Sequence, residues 1–210
     1  MSLAVDRIEL GPIGTNCYVV RAESGASEAV VIDPGDDGTD LQAELARMGV
    51  TVAGILVTHT HYDHIGAVAD LAEASGAAVH VSEIEAPVLA NPAAFYPGIP
   101  IRPYQAEVLL SGDETIELAG ITFQTLPVPG HSPGHLAFYS ELFLFSGDVV
   151  FAGSVGRTDL PMADWETLVE SIRSLMDRFP PETTVYAGHG PPTTLSDELA
   201  HNPFLAELRA

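Results

Sequence analysis

The stretch Val52-Ala53-Gly54-Ile55-Leu56-Val57-Thr58-His59-Thr60-His61-Tyr62-Asp63-His64 decides how this chain is read. Its first half is an apolar run of strand length that ends in polar residues. Its second half places three imidazoles and a carboxylate within residues 59–64. Imidazole is the commonest side-chain ligand for transition metals, and carboxylate adds a harder oxygen donor. Ile65-Gly66-Ala67-Val68-Ala69-Asp70-Leu71 follows with apolar residues at helical spacing, which predicts a helix to about Ser75. The donors therefore sit where a strand ends and a helix begins, the edge at which α/β sheets bind ligands.

Outward from this run, Ile8–Leu10, Cys17–Arg21 and Ala29–Ile32 read as strands, with Asp33-Pro34-Gly35 closing the third. A helix over Leu41–Met48, capped by Thr39 or Asp40, stops at Gly49. Strands are predicted at 78–81, 107–109, 115–118, 121–126, 136–139, 142–145 and 183–186. Helices are predicted over Trp165–Arg178, after Asp164, and from about Ser196 through Leu208. Between Glu85 and Tyr104, five prolines break any long element, and Phe95, Tyr96 and Tyr104 stand among them. That segment reads either as plain surface connection or as a pocket wall. Strands then helix, twice over, predict an α/β fold: two mixed sheets packed face to face with helices outside, in one domain over residues 1–210.

Composition limits the partners. The chain of 210 residues is 46% hydrophobic and 18% charged, enough for a real core. Its formal charge is −21, and all 8 basic residues are arginine. That balance disfavours nucleic acid and anionic membrane, which need a basic surface, and it excludes a lysine nucleophile. No run approaches a membrane span, and no basic-then-apolar leader opens the chain. Cys17 is the one cysteine and reads as core. A cytoplasmic location is the expectation. No nucleophile elbow for Ser-His-Asp catalysis is present.

Further donors each close a strand-like run: His131 after Pro127–Gly130, Asp148 after Ser146-Gly147, and His189 after Ala187-Gly188. With His59, His61, Asp63 and His64 in this order, the chain resembles the metallo-β-lactamase superfamily. The resemblance spans nearly the whole chain and implies the αβ/βα four-layer sandwich. It implies that His59, His61 and His131 hold one metal, that Asp63, His64 and His189 hold a second, and that Asp148 bridges them. Asp63 and Asp148 would serve catalysis beside a metal-bridging hydroxide. Asp33, Thr58 and His135 would support the ligands from behind; Asp33 reads equally as a turn-making residue. His80 and His201 carry no motif and are not expected to be ligands.

Within the superfamily the segments Phe145–Asp148, Gly156–Pro161, Tyr186–Pro191 and Asn202–Phe204 resemble short type II glyoxalases, the hydroxyacylglutathione hydrolases. The activity implied is hydrolysis of thioesters such as S-D-lactoylglutathione, with a small acyl-thiol as partner molecule. A thiolate leaves readily because a thiol pKa is about 8.5. Two divalent ions are implied, zinc first, with iron and manganese also suited to these donors. Pro191 stands where the longer relatives carry a tyrosine, and no counterpart of their basic C-terminal region is expected. Arg157 is the best placed anion contact, or else a structural salt bridge. The alternatives are a persulfide dioxygenase using one iron on His61, His131 and Asp148, another acyl or lactone hydrolase, and a non-catalytic metal-binding domain.

Overall fold

The computed structural model describes residues 3–209; Met1, Ser2 and Ala210 lie outside the described residues. Strands β1 (Ala4–Leu10), β2 (Thr15–Arg21), β3 (Glu28–Ile32), β4 (Thr51–Leu56), β5 (Val79–Ser82) and β6 (Val108–Leu110) form one sheet in that order. Its first three strands run antiparallel, and β3 through β6 run parallel. The second sheet takes β7 (Thr115–Leu118), β8 (Ile121–Pro127), β9 (Leu136–Ser140) and β10 (Phe143–Gly147). A short ribbon of β11 (Val150–Phe151) and β12 (Ser154–Val155) precedes its last members, β13 (Thr184–Ala187) and β14 (Thr193–Thr194). β13 lies parallel to β10, so this sheet is mixed as well. The helices are α1 (Gly38–Met48), α2 (Tyr62–Ile65), α3 (Val68–Ser75), α4 (Ala86–Ala90), α5 (Pro92–Phe95), α6 (Trp165–Arg178) and α7 (Leu195–His201).

Strand periodicity produces the layers. Successive side chains point to opposite faces, so a strand covered on both sides must be apolar throughout. In β2 and β3, Val19 and Val31 face one cluster with Leu41, Leu45 and Leu71 of the helices. Tyr18, Val20, Val30 and Ile32 face the other sheet and meet Phe123, Leu136, Phe138 and Phe145 there. On the far side of the second sheet, Leu168, Ile172 and Leu175 of α6 pack on Leu126, Ala137, Leu144 and Val185. Three apolar seams thus join four layers, α/β/β/α. No helix among the described residues is long and apolar enough to cross a membrane.

The expected elements form, with local differences that have physical causes. Helix α6 spans Trp165–Arg178 as read, and the Asp164 side chain accepts from the Thr167 N–H at its start. Helix α1 begins earlier than expected. Neither Thr39 nor Asp40 caps it; Asp37 occupies the cap position, and its Oδ2 accepts instead from the Gly11 N–H at 2.9 Å. The helix expected from Ile65 is two helices, broken at Gly66-Ala67. There the chain abuts the Asp33–Gly35 turn: a side chain on Gly66 would strike the Gly35 carbonyl, and the Ala67 N–H donates to the Pro34 carbonyl. The last expected helix is also divided, into α7 and a 3-10 segment over Pro203–Arg209, because Pro203 supplies no N–H. The Glu85–Tyr104 segment holds two short helices, α4 and α5, and contributes to a cavity wall.

Candidate metal centre

Four loops meet at one edge of the two sheets. The turn after β4 carries His59 and His61 and runs into α2 with Asp63 and His64. The turn between β8 and β9 carries His131, and the ends of β10 and β13 carry Asp148 and His189. The parallel pairing of β10 with β13 aligns those two ends, with the Gly188 N–H donating to the Gly147 carbonyl at 2.8 Å. Glycine is required at 188, since a side chain there would run into the Asp148 carboxylate.

The donor atoms gather into three overlapping groups: His59, His61 and His131; His59, His64 and Asp148; Asp63, His64 and His189. Within each group the donor atoms lie within 4.8 Å of one another. Asp148 faces both sides of the cluster. Its Oδ1 is 3.4 Å from His64 Nε2, and its Oδ2 is 3.4 Å from His131 Nε2 and 3.5 Å from His189 Nε2. Asp63 Oδ2 lies 3.3 Å from His189 Nε2 and 3.4 Å from His64 Nε2, and it accepts from Thr15 Oγ1 at 2.7 Å.

Hydrogen bonds behind the rings fix which nitrogen faces inward. The Arg157 carbonyl can only accept, so His131 Nδ1, 2.8 Å away, carries the hydrogen and Nε2 is left as a lone pair. Asp33 Oδ2 likewise accepts from His64 Nδ1 at 3.0 Å, which turns His64 Nε2 inward. Thr58 Oγ1 donates to Asp33 Oδ2 at 2.6 Å and accepts from His59 Nδ1 at 3.1 Å. One carboxylate therefore orients two rings, His64 directly and His59 through Thr58. Asp33 holds φ at 52°, in the left-handed region, an outlier of the kind that collects at functional sites. His135 stacks on His59 with ring centroids 4.6 Å apart, and its Nε2 accepts from the Asp148 N–H at 3.1 Å. Asp33, Thr58 and His135 thus stand behind the donors. His80 and His201 belong to none of the donor groups, and Cys17 is core.

These donors suit a divalent cation. Among the described residues, His64 Nε2, His131 Nε2 and Asp148 Oδ1 are buried with no hydrogen-bond partner, although buried polar atoms are normally paired. Neutral imidazole with carboxylate accepts zinc, iron or manganese. Removing Asp33 frees two rings at once, and loss of such an orienting partner typically costs about 10–100-fold in metal affinity. Asp33→Ala is expected to show that loss in competition with a chelator; unchanged affinity would return Asp33 to a turn-making role.

Protonation divides the rings into two sets. Burial drives the pKa of His59 and His135 well down, lowers His131, and takes His61 to about 4. Burial also opposes a proton on His64, but the Asp148 and Asp33 carboxylates outweigh it and raise the pKa. His189 is likewise desolvated, yet its bonds to Asp148 and Asp63 push it up to about 9. Burial favours neutral Asp63, but the His189 bond, the His64 charge and the Thr15 hydroxyl hold it at about 2. Without metal, protons on His64 and His189 balance the carboxylates; a cation would displace them.

That division sets a pH dependence for the metal-free protein. His189 keeps a proton that the unfolded chain releases near the ordinary pKa of about 6.5. Its contribution is complete below about pH 6.5 and is lost as pH rises through about 9. His61 acts at the other end: the unfolded chain takes a proton below about pH 6.5, while the folded site refuses one until about 4. Thermal melts of chelator-treated protein are expected to peak near neutral pH and to decline through both windows. A midpoint that holds level between those two limits would contradict this charge arrangement.

A residue the sequence reading passed over ties these loops together. Glu85, buried at the start of α4, accepts from the Thr60 N–H and hydroxyl, from Ser132 Oγ at 2.8 Å and from the Gly134 N–H at 3.0 Å. Its neighbours Ile84-Glu85-Ala86-Pro87-Val88-Leu89 are otherwise apolar, and an acid in such a run was the available signal. Arg157 lines the same cavity as the donors. Its guanidinium forks onto Asp159 at 2.6 and 2.8 Å, while its carbonyl holds His131.

The centre forms the floor of a cavity of about 510 Å³. Pro87, Val88, Phe95, Tyr96 and Ile99 supply one wall, so the proline-rich segment serves as a pocket wall. Tyr96 is tied down through its hydroxyl, which donates to the Thr60 carbonyl at 3.0 Å.

Comparison with known proteins matches the family described as the Metallo-beta-lactamase superfamily to residues 10–189. The hydroxyacylglutathione hydrolase GloC of Haemophilus influenzae is 32% identical over 216 residues, covering 94% of this chain and 97% of that protein. The crystal structure of the BLEG-1 B3 metallo-beta-lactamase shares 40% identity at a TM-score of 0.90, covering 97% of this chain and all (100%) of that one. The crystal structure of TTHA1623 in a di-iron-bound form shares 43% identity at a TM-score of 0.84, covering 96% and 100%.

Proposed function

We propose that this chain, which belongs to the metallo-β-lactamase superfamily, is a hydrolase that uses two divalent ions to cleave thioesters. The observation that carries the reading is the inward set of His64 Nε2, His131 Nε2 and Asp148 Oδ1, buried without hydrogen-bond partners and converging beneath the cavity. His59, His61 and His131 would hold one ion, Asp63, His64 and His189 the other, with Asp148 between them. Ions held there supply Lewis acidity, which brings the pKa of a bound water towards 7 and polarises a carbonyl.

The protein's own part is positioning and charge. Asp63 and Asp148 are held below the ordinary carboxylate range, so both stay ionised at neutral pH and can accept hydrogen bonds from an attacking water. His61, His131 and His189 border the cavity and fix where a carbonyl can approach. Covalent catalysis has no support in the lining. Its cavity-facing serine, Ser132, gives its hydroxyl hydrogen to Glu85 rather than to a histidine. A thiolate suits a site without a dedicated acid, since it leaves unprotonated more readily than an alkoxide.

The likeness to GloC supports S-D-lactoylglutathione as a test substrate, and the likeness to BLEG-1 makes a β-lactam the comparison substrate. Loss of thioester absorbance with metal-loaded protein, abolished by chelation and faster than β-lactam loss, is the expected result. Cleavage of the β-lactam alone would overturn the thioester assignment.

A further inference from the structure

We infer that the cavity above the metal centre selects thioesters with a medium-length hydrocarbon acyl chain on an uncharged thiol, in preference to the glutathione thioester. The inference rests on the thioester-hydrolase reading of the same site. Its basis is where the exposed apolar side chains lie. Ile13, Tyr62, Ile84, Phe95, Ile99 and Met162 are each between 37% and 76% exposed, and all six line this one cavity. They come from four separated stretches of the chain, and only Tyr62 and Phe95 belong to helices, each at an end of a four-residue one, so no helix or strand periodicity accounts for them. Contiguous exposed apolar surface on a folded protein marks a place where something apolar binds. Met162 is the most exposed of them, and its backbone is held in the left-handed region, at φ 67°. An unbranched thioether side chain there can mould itself to chains of different shape.

Charge in the cavity points the same way. Beside the metal-donor residues, whose carboxylates the bound ions would offset, its charged lining residues are Glu85 and Arg157. The one guanidinium is paired at the surface with Asp159, and the chain as a whole carries −21. Glutathione brings two carboxylates, and a carboxylate taken from water needs a paired cation. An acyl chain needs only the apolar rim, where each buried methylene contributes about 0.8 kcal/mol, or roughly fourfold in kcat/KM.

The test uses the metal-loaded full chain and thioesters of N-acetylcysteamine from acetyl to octanoyl, with S-D-lactoylglutathione beside them. The kcat/KM is expected to climb by at least about a hundredfold from acetyl to octanoyl, which burial of about three to four of the added methylenes supplies. Ile84→Ser and Ile99→Ser are each expected to reduce that slope, and Ile84→Leu to keep it. In parallel, binding of the non-hydrolysable S-alkyl thioethers of N-acetylcysteamine is followed by calorimetry, and affinity is expected to rise with chain length. Turnover that ignores chain length, or S-D-lactoylglutathione outpacing every neutral thioester, would overturn the inference and leave the hydrolase reading standing. Chain-dependent thioether binding with no turnover of any thioester would keep the apolar selectivity and overturn the hydrolase reading.

Discussion

Asp148→Ala is expected to lower kcat/KM for thioester hydrolysis by at least about a thousandfold and to reduce bound metal in the same preparation. About 4 kcal/mol of transition-state stabilisation corresponds to that factor, within what a Lewis-acidic site supplies. The size of the effect follows from position. Among the described residues, Asp148 alone places carboxylate oxygens within 3.5 Å of His64, His131 and His189, so its loss affects both donor groups at once. The fold is expected to survive, because Asp148 bonds His135 through its backbone N–H, which alanine retains. Elemental analysis alongside steady-state kinetics and a thermal melt separates these effects. Full turnover in the variant would remove Asp148 from the site.

Glu85→Ala is the second large expected effect, and it falls first on stability. Four donors converge on one buried carboxylate, and truncation leaves them unpartnered. Each orphaned buried donor costs about 1–3 kcal/mol, so a loss of about 3 kcal/mol or more is expected after local relaxation. Metal affinity is expected to fall with it, because Thr60 lies between His59 and His61 and Ser132 adjoins His131. Glu85→Gln retains an acceptor oxygen and is expected to lose less. Denaturant midpoints for the two variants provide the check. An alanine variant as stable as the parent protein would show that water replaces the carboxylate and that Glu85 does not clamp the loops.

The candidate metal donors were legible because each carries its signal locally. His59 to His64 is a contiguous run, and His131, Asp148 and His189 each follow an apolar strand and a glycine-containing turn. The sandwich was legible for a similar reason, since β2 and β3 are apolar at every central position and so must be covered on both faces. Features that depend on distant contacts were not. The break at Gly66-Ala67 lies where the chain packs on the Gly35 carbonyl and the Ala67 N–H turns to Pro34, and at the start of α1 Asp37 turns towards Gly11. Glu85 binds partners 25 to 49 positions away, and no spacing rule links an acid in an apolar run to Thr60 and Gly134. The short strands β11, β12 and β14, two residues each, are too brief for periodicity to register. The apolar rim escaped for a related reason: Ile13 and Met162 are ordinary loop residues until the fold sets them at one cavity mouth. Arg157 shows the converse case. Its motif was visible, but its pairing with Asp159 and the use of its carbonyl on His131 are matters of geometry.

The most direct test of the two-ion hydrolase is a titration of thioester hydrolysis against divalent metal added to the metal-free protein. The rate is expected to rise to a plateau at about two equivalents per chain, because His59, His61 and His131 form one donor group, Asp63, His64 and His189 another, and Asp148 reaches both. A plateau at one equivalent, or no hydrolysis at any loading, would contradict it.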